Sequence, residues 1–146
     1  MLPTERTIVP HCVHGQEPVT VPRSTMVREA VQLMARRRIG AIMIVEDDRL
    51  LGIFTERDAM VRIVAEGRDP DATTIGEVMT ADPKTVKASD SVVLALDLMS
   101  KHGFRHLPVM EGGQLYGIVS IRDLYRNVKE QMDDDILMLA ETLIQG

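Results

Sequence analysis

The sequence predicts an α+β fold: two copies of one βαββα unit packed with pseudo-twofold symmetry, followed by a C-terminal helix. Three observations carry this prediction. Shifted by 65 residues, the chain aligns on itself without a gap, Pro18–Met60 on Pro83–Tyr125, with 14 identities in 43 positions, where ordinary composition would give roughly three. Within each copy the hydrophobic pattern changes from helical to strand-like at matching positions. Hydrophobic residues make up 45% of the chain, with 3% aromatic, no Trp and 10 Met, which calls for an aliphatic core.

The elements follow in order. Residues 1–17 form an N-terminal arm, and repeat one spans 18–66. A short strand is expected at Val19–Val21, matched by Thr85–Val86 in repeat two. Helices follow at Met26–Arg38 and Ser91–His102, with apolar stripes Val27, Ala30, Val31, Met34 and Val92, Ala95, Leu96, Met99, the i, i+3, i+4, i+7 spacing of a half-buried helix. Ser24 or Thr25, and Ser89 or Asp90, are the expected N-caps. Strands at Ala41–Val45 and Leu107–Met110 then turn at Asp47-Asp48 and Gly112-Gly113 into Leu50–Phe54 and Leu115–Val119, a hairpin in each copy. Second helices start near Glu56 and Ile121. Residues 67–82 are a linker with a short helix at Ile75–Met79, repeat two spans 83–130, and a last helix occupies 131–146 with Asp133-Asp134-Asp135 in its first turn. Its stripe of Ile136, Leu139, Ala140 and Leu143 either packs back on the monomer or seals a homodimer. Forty-five residues bury too little surface to stand alone, so the copies are expected to share a core.

Composition narrows the function. The net charge of −5 argues against binding a nucleic-acid backbone, which needs a basic face. The aliphatic runs are far shorter than a membrane span, so no membrane partner is expected. One cysteine, Cys12, leaves no intrachain disulfide, which fits a reducing compartment; with no signal-peptide-like start, a cytoplasmic location is expected. His11-Cys12-Val13-His14 holds three potential ligands without distant partners, so no metal is expected. The chain lacks a P-loop, a G-x-G-x-x-G after a strand, H-E-x-x-H and a nucleophile–base arrangement. An enzyme is not expected.

Two stretches, Gly52-Ile53-Phe54-Thr55-Glu56-Arg57-Asp58 and Gly117-Ile118-Val119-Ser120-Ile121-Arg122-Asp123, close the repeats in the same way. With Arg38–Ile42, Arg105–Val109 and Gly76–Thr80, they resemble a pair of cystathionine-β-synthase (CBS) domains, the Bateman module, over roughly residues 8 to 130. The resemblance implies a regulatory module that senses an adenosine-containing ligand (AMP, ADP, ATP, an S-adenosyl compound or NAD) in two clefts between the repeats and signals to a separate, unidentified partner; because such pairs commonly form flat, disc-like dimers, it also favours the homodimer. No cofactor is required. It implies one cleft formed by Thr20, Val21, Gly40, Ala41, Ile42, Thr55 and Asp58, and a second formed by Thr85, Val86, Arg105, His106, Leu107, Pro108, Ser120 and Asp123. Repeat one, with Gly40-Ala41 where repeat two has Arg105-His106, is the poorer in phosphate contacts.

The chemistry of these residues suits the task. A carboxylate such as Asp58 or Asp123 accepts two hydrogen bonds side by side, as the paired hydroxyls of a ribose would offer. Thr55 and Ser120 precede helices, whose free N–H groups favour an anion. Arg57, Arg122, Arg105 and His106 are candidate phosphate contacts, and Gly52 and Gly117 allow close approach of ligand or backbone. The same Thr-x-x-Asp and Ser-x-x-Asp patterns also form helix capping boxes, which compete for the Asp side chains. The alternative is a structural dimerisation module with no nucleotide ligand.

Overall fold

The computed structural model describes residues 6–13 and 17–145. Its elements run α1 (Ile8–His11), β1 (Thr20–Val21), α2 (Val27–Arg37), β2 (Ala41–Glu46), β3 (Arg49–Thr55) and α3 (Glu56–Asp58), which continues as a π-helical stretch over Ala59–Val64. Then follow α4 (Ile75–Val78), β4 (Thr80–Ala81), β5 (Val86–Lys87), α5 (Val92–His102), β6 (His106–Glu111), β7 (Gln114–Ser120) and α6 (Ile121–Gln145). The fold is α+β, with two sheets ordered β1-β2-β3-β4 and β5-β6-β7.

The repeat is visible in fine detail. Both hairpin turns place two successive residues at positive φ, Asp47 and Asp48 at 50° and 59°, Gly112 and Gly113 at 59° and 78°, which matches the twist of the flanking strands. Each hairpin bulges at the same place, Ile44/Val45 in one copy and Val109/Met110 in the other. In both sheets the first short strand runs parallel to the second, Val21 beside Ile44 and Val86 beside Val109.

The helix stripes are narrower than the sequence pattern suggests. Val27, Ala30 and Met34 are buried, as are Val92, Ala95 and Met99, whereas Val31 faces outward and Leu96 is half-buried. The N-caps also differ from expectation. Met26 holds the cap position of α2 without a side-chain bond, and Ser91 caps α5 by accepting from Leu94 N at 3.0 Å. Thr25 is buried, and its carbonyl accepts from Ile75 N. Asp90 accepts instead from Lys87 N at 2.8 Å, closing the turn after β5. The last helix does not begin at residue 131. With no Gly or Pro between Ile121 and Gln145 nothing interrupts α6, so Asp133–Asp135 lie in mid-helix rather than in a first turn.

Two hydrophobic cores form, and each draws on a segment from outside its own repeat. Ile75 and Val78 of α4 pack with Val27, Ala30, Ile44 and Phe54 of the first half. Ile8 and Val13 pack with Val92, Ala95, Val109 and Val119 of the second. Backbone bonds repeat the exchange: Ile75 N donates to Thr25 O (2.7 Å) and Val27 N to Thr73 O (2.9 Å), while Ile8 N donates to Asp90 O (2.9 Å) and Val92 N to Arg6 O (2.9 Å). The segment preceding each repeat therefore completes the other one.

The glycines before the closing motifs lie where these exchanged segments cross. A Cβ on Gly52 would fall 2.8 Å from Thr80 O and 2.5 Å from Met79 Sδ, and one on Gly117 would fall 3.1 Å from Val13 Cγ1. At Gly52 the close approach is made by the backbone of β4, which pairs with β3 there.

Candidate functional site

Thr55 ends β3 and Glu56 begins α3, so Thr55 and Asp58 meet across one turn. The capping box is complete: Asp58 N donates to Thr55 Oγ1 (3.2 Å), and Asp58 Oδ2 accepts from Thr55 N (2.9 Å) and Thr55 Oγ1 (3.1 Å). Only one carboxylate oxygen is used in this way. Oδ1 lies 3.6 Å from Arg62 Nε. In the second copy Asp123 N donates to Ser120 Oγ (3.1 Å), Asp123 Oδ2 accepts from Ser120 N (3.0 Å), and Oδ1 lies 3.7 Å from Arg126.

Beside Asp58 opens a cleft of ≈ 880 Å³. Thr55, Arg57 and Asp58 line it from repeat one, and Arg105, His106 and Leu107 from repeat two. The cleft between the halves thus draws on residues of both expected sets. β3 and β7 lie against each other where the two halves meet, so a cleft at that seam takes a wall from each half. The Arg105-His106 pair therefore lines the same cleft as Asp58 of the half with Gly40-Ala41 before its second strand. The other named residues lie elsewhere. Val21, Ala41, Ile42, Val86 and Pro108 are buried, and Thr85 is exposed. Thr20 lines a second cavity of ≈ 530 Å³ with Glu17, Asp48 and Tyr116. Gly40 sits behind His106, where a Cβ would come within 3.2 Å of the imidazole. Ser120, Arg122 and Asp123 do not line the large cleft. Cys12 lies close enough to Asp123 to feel its charge. His14, part of the His-Cys-Val-His stretch, lies outside the described residues.

Several residues of the cleft carry no repeat signature. Lys84 lines it from the turn before β5, and His102 and Phe104, stacked with ring centroids 5.5 Å apart, line it from the end of α5. Arg62 also lines it and donates to the carbonyls of Val78 (2.7 Å) and Met79 (3.1 Å) at the end of α4. Its counterpart Asn127, buried, donates to His11 O (3.3 Å) at the end of α1. Each exchanged segment is thus held by the residue four positions after the motif Asp, a helical spacing that could have marked Arg62 in the sequence.

The electrostatics are mixed. Arg57, Arg62, Lys84 and Arg105 share the cleft with Glu56, Asp58 and Asp82. Burial pushes the His106 imidazole below its usual range, and the nearby Arg105 and Arg122 add to this against the opposite pull of Glu56 and Asp123. Burial, with Asp123 nearby, raises the Cys12 thiol to about 11 despite Arg6, so it stays protonated at neutral pH. Among the described residues no group of side chains is arranged to hold a metal, and no helix is long and apolar enough to cross a membrane.

Comparison with known proteins places these features in context. The sequence model of the CBS domain matches residues 13–65 and again 75–130. A CBS domain-containing protein of Arabidopsis thaliana, CBSX3, mitochondrial, is 35% identical over 125 residues, 82% of this chain and 60% of its own length. The chain spans less than two thirds of the plant relatives it matches. Among solved structures, a protein with CBS domains from Burkholderia ambifaria is 41% identical with a TM-score of 0.75, over 78% of this chain and 84% of that one. A CBS-domain protein of Pyrobaculum aerophilum in complex with AMP is 31% identical with a TM-score of 0.69, over 75% and 85%.

Proposed function

Since the chain belongs to the CBS-domain family, we propose that it is a regulatory rather than catalytic module, one that binds an adenosine-containing ligand in the cleft beside Asp58 and signals to a separate protein. The observation that carries this reading is the meeting of the Asp58 carboxylate with Arg57, Lys84 and Arg105 in one ≈ 880 Å³ space, within the range of about 300–1,000 Å³ of small-molecule pockets. Asp58 Oδ1, outside the capping box, is available to a ribose hydroxyl. The three cations suit phosphate oxygens, and the His102–Phe104 stack offers a flat apolar wall to a base. The AMP complex of the Pyrobaculum relative supports an adenine nucleotide; S-adenosyl compounds and NAD share the adenosine that Asp58 would read. The homodimer forms part of the same proposal.

The second reading is a structural dimerisation module with no nucleotide. Its support is the capping box, already complete around Asp58 without a ligand. One substitution separates the two. Asp58→Asn keeps an oxygen to accept from Thr55 N but removes the charge. Hydrogen bonds to a charged group are worth ~1.5–3 kcal/mol, so calorimetric titration with AMP, ATP, S-adenosylmethionine and NAD should show affinity falling about ten- to hundredfold, with little change in melting temperature. Binding that Asp58→Asn leaves unchanged refutes the proposed role of Asp58. If the wild type binds none of the four compounds, the structural reading takes its place.

A further inference from the structure

We propose that the free half of α6 is the dimerisation element of this chain and pairs antiparallel with the same helix of a second copy. This rests on the homodimer reading above and names the surface that makes it.

Met132, Ile136, Leu139 and Leu143 recur at intervals of four, three and four residues, with Tyr125 seven residues before Met132. A mean interval near 3.6 keeps these residues on one side of a helix, an apolar seam of the kind through which helices pair. All five side chains are more than half exposed. The far side of the same helix is contacted around residues 130–134, and farther along it Leu137 and Met138 are exposed as well. Arg6, in the arm, donates to Gln131 Oε1 and Asp134 Oδ2 and lies 3.9 Å from Glu130. At about 100° of rotation per residue, Asp134 and Glu130 project away from the seam and Gln131 to one side of it. The arm therefore steadies α6 from behind and leaves the seam clear of its own body. At roughly 100 Å² of apolar surface for each large side chain, Met132, Ile136, Leu139 and Leu143 with neighbouring Ile144 offer on the order of 500 Å² per copy, about 1,000 Å² for the pair, the size at which a specific interface begins.

Charge selects the orientation. A parallel pair would bring Lys129, on the seam, against its own counterpart and hold Asp133 and Asp135, to either side of it, near the same residues of the second copy. An antiparallel pair places Ile136 opposite Leu139 and Met132 opposite Leu143 of the second copy. Asp133 and Asp135, which flank the seam, then meet Ala140 and Thr142. Lys129 comes beside the C-terminal end of the other helix, where the helix dipole favours a cation.

Sedimentation velocity across a concentration series of the full chain tests the surface. The wild type is expected to dimerise, and Ile136→Glu with Leu139→Glu to weaken the dimer at least about tenfold while circular dichroism and the melting temperature of diluted monomer stay unchanged. Orientation is tested in a Cys12→Ser background with Ile136→Cys and Leu139→Cys chains. The antiparallel pair forms a disulfide between the two different positions when the chains are mixed, and neither chain links to itself. Self-linking of each chain alone overturns the orientation. A dimer untouched by the two glutamates overturns the surface and leaves the homodimer standing. A wild type that stays monomeric to about 100 µM, where a dimer of micromolar affinity would be well populated, overturns both.

Discussion

Asp58 divides its two oxygens between tasks, one closing the turn with Thr55 and the other beside Arg62 at the cleft. Capping and ligand binding, competitors when only the spacing is known, are compatible because a carboxylate has more than one acceptor position. The Thr-x-x-Asp pattern revealed the residue but could not reveal this division, which depends on side-chain rotation. His106 makes a similar point. Its place before β6 is readable from the repeat, but its burial against Gly40 is a tertiary fact. Because its folded pKa lies below the ordinary value near 6.5, the unfolded chain binds more protons between the two values. The stability due to neutral His106 is therefore complete above about pH 6.5 and is lost as the pH falls toward the folded value. Thermal melts of the wild type between about pH 5 and 8 should show this decline, and His106→Gln should flatten it. An equal decline in the variant would assign the effect to other groups.

Among the elements, the hairpins were the most legible. Their turns need two successive residues at positive φ, a demand met by Asp-Asp in one copy and Gly-Gly in the other. Helix ends were the least legible, because α2 begins with Val27 N donating to Thr73 O, while Met26 at the cap position makes no side-chain bond. Gly52 shows how an element can depend on one missing atom. Gly52→Ala would drive a methyl into Thr80 O and Met79, against a backbone that is itself a strand. It should destabilise the chain by about 1–3 kcal/mol, measured by urea denaturation, with faster hydrogen exchange across β4. Gly117→Ala meets only the side-chain methyl of Val13 at 3.1 Å and should cost less. Equal losses would show that β4 adds nothing special at Gly52.

For the whole molecule, self-alignment displayed two units but could not say which lead-in segment completes which core. That choice leaves no mark in periodicity, since Ile8 and Ile75 suit either half. The same limit applies to the cleft beside Asp58, whose walls come from residues far apart in the chain. Each core borrows its last piece from outside its own repeat, so neither half should melt alone. Calorimetry is expected to give one transition whose calorimetric and van't Hoff enthalpies agree; two separable transitions would contradict this. The architecture is that of an exchanged pair whose members have been tied together by residues 67–74. A single repeat with its own lead-in, about half this chain, would leave that lead-in without a groove and a groove without a lead-in. Two such halves could meet both needs by trading arms, so the one-repeat fragment should be folded only as a reciprocal twin, and a doubled gene would have made that partnership permanent.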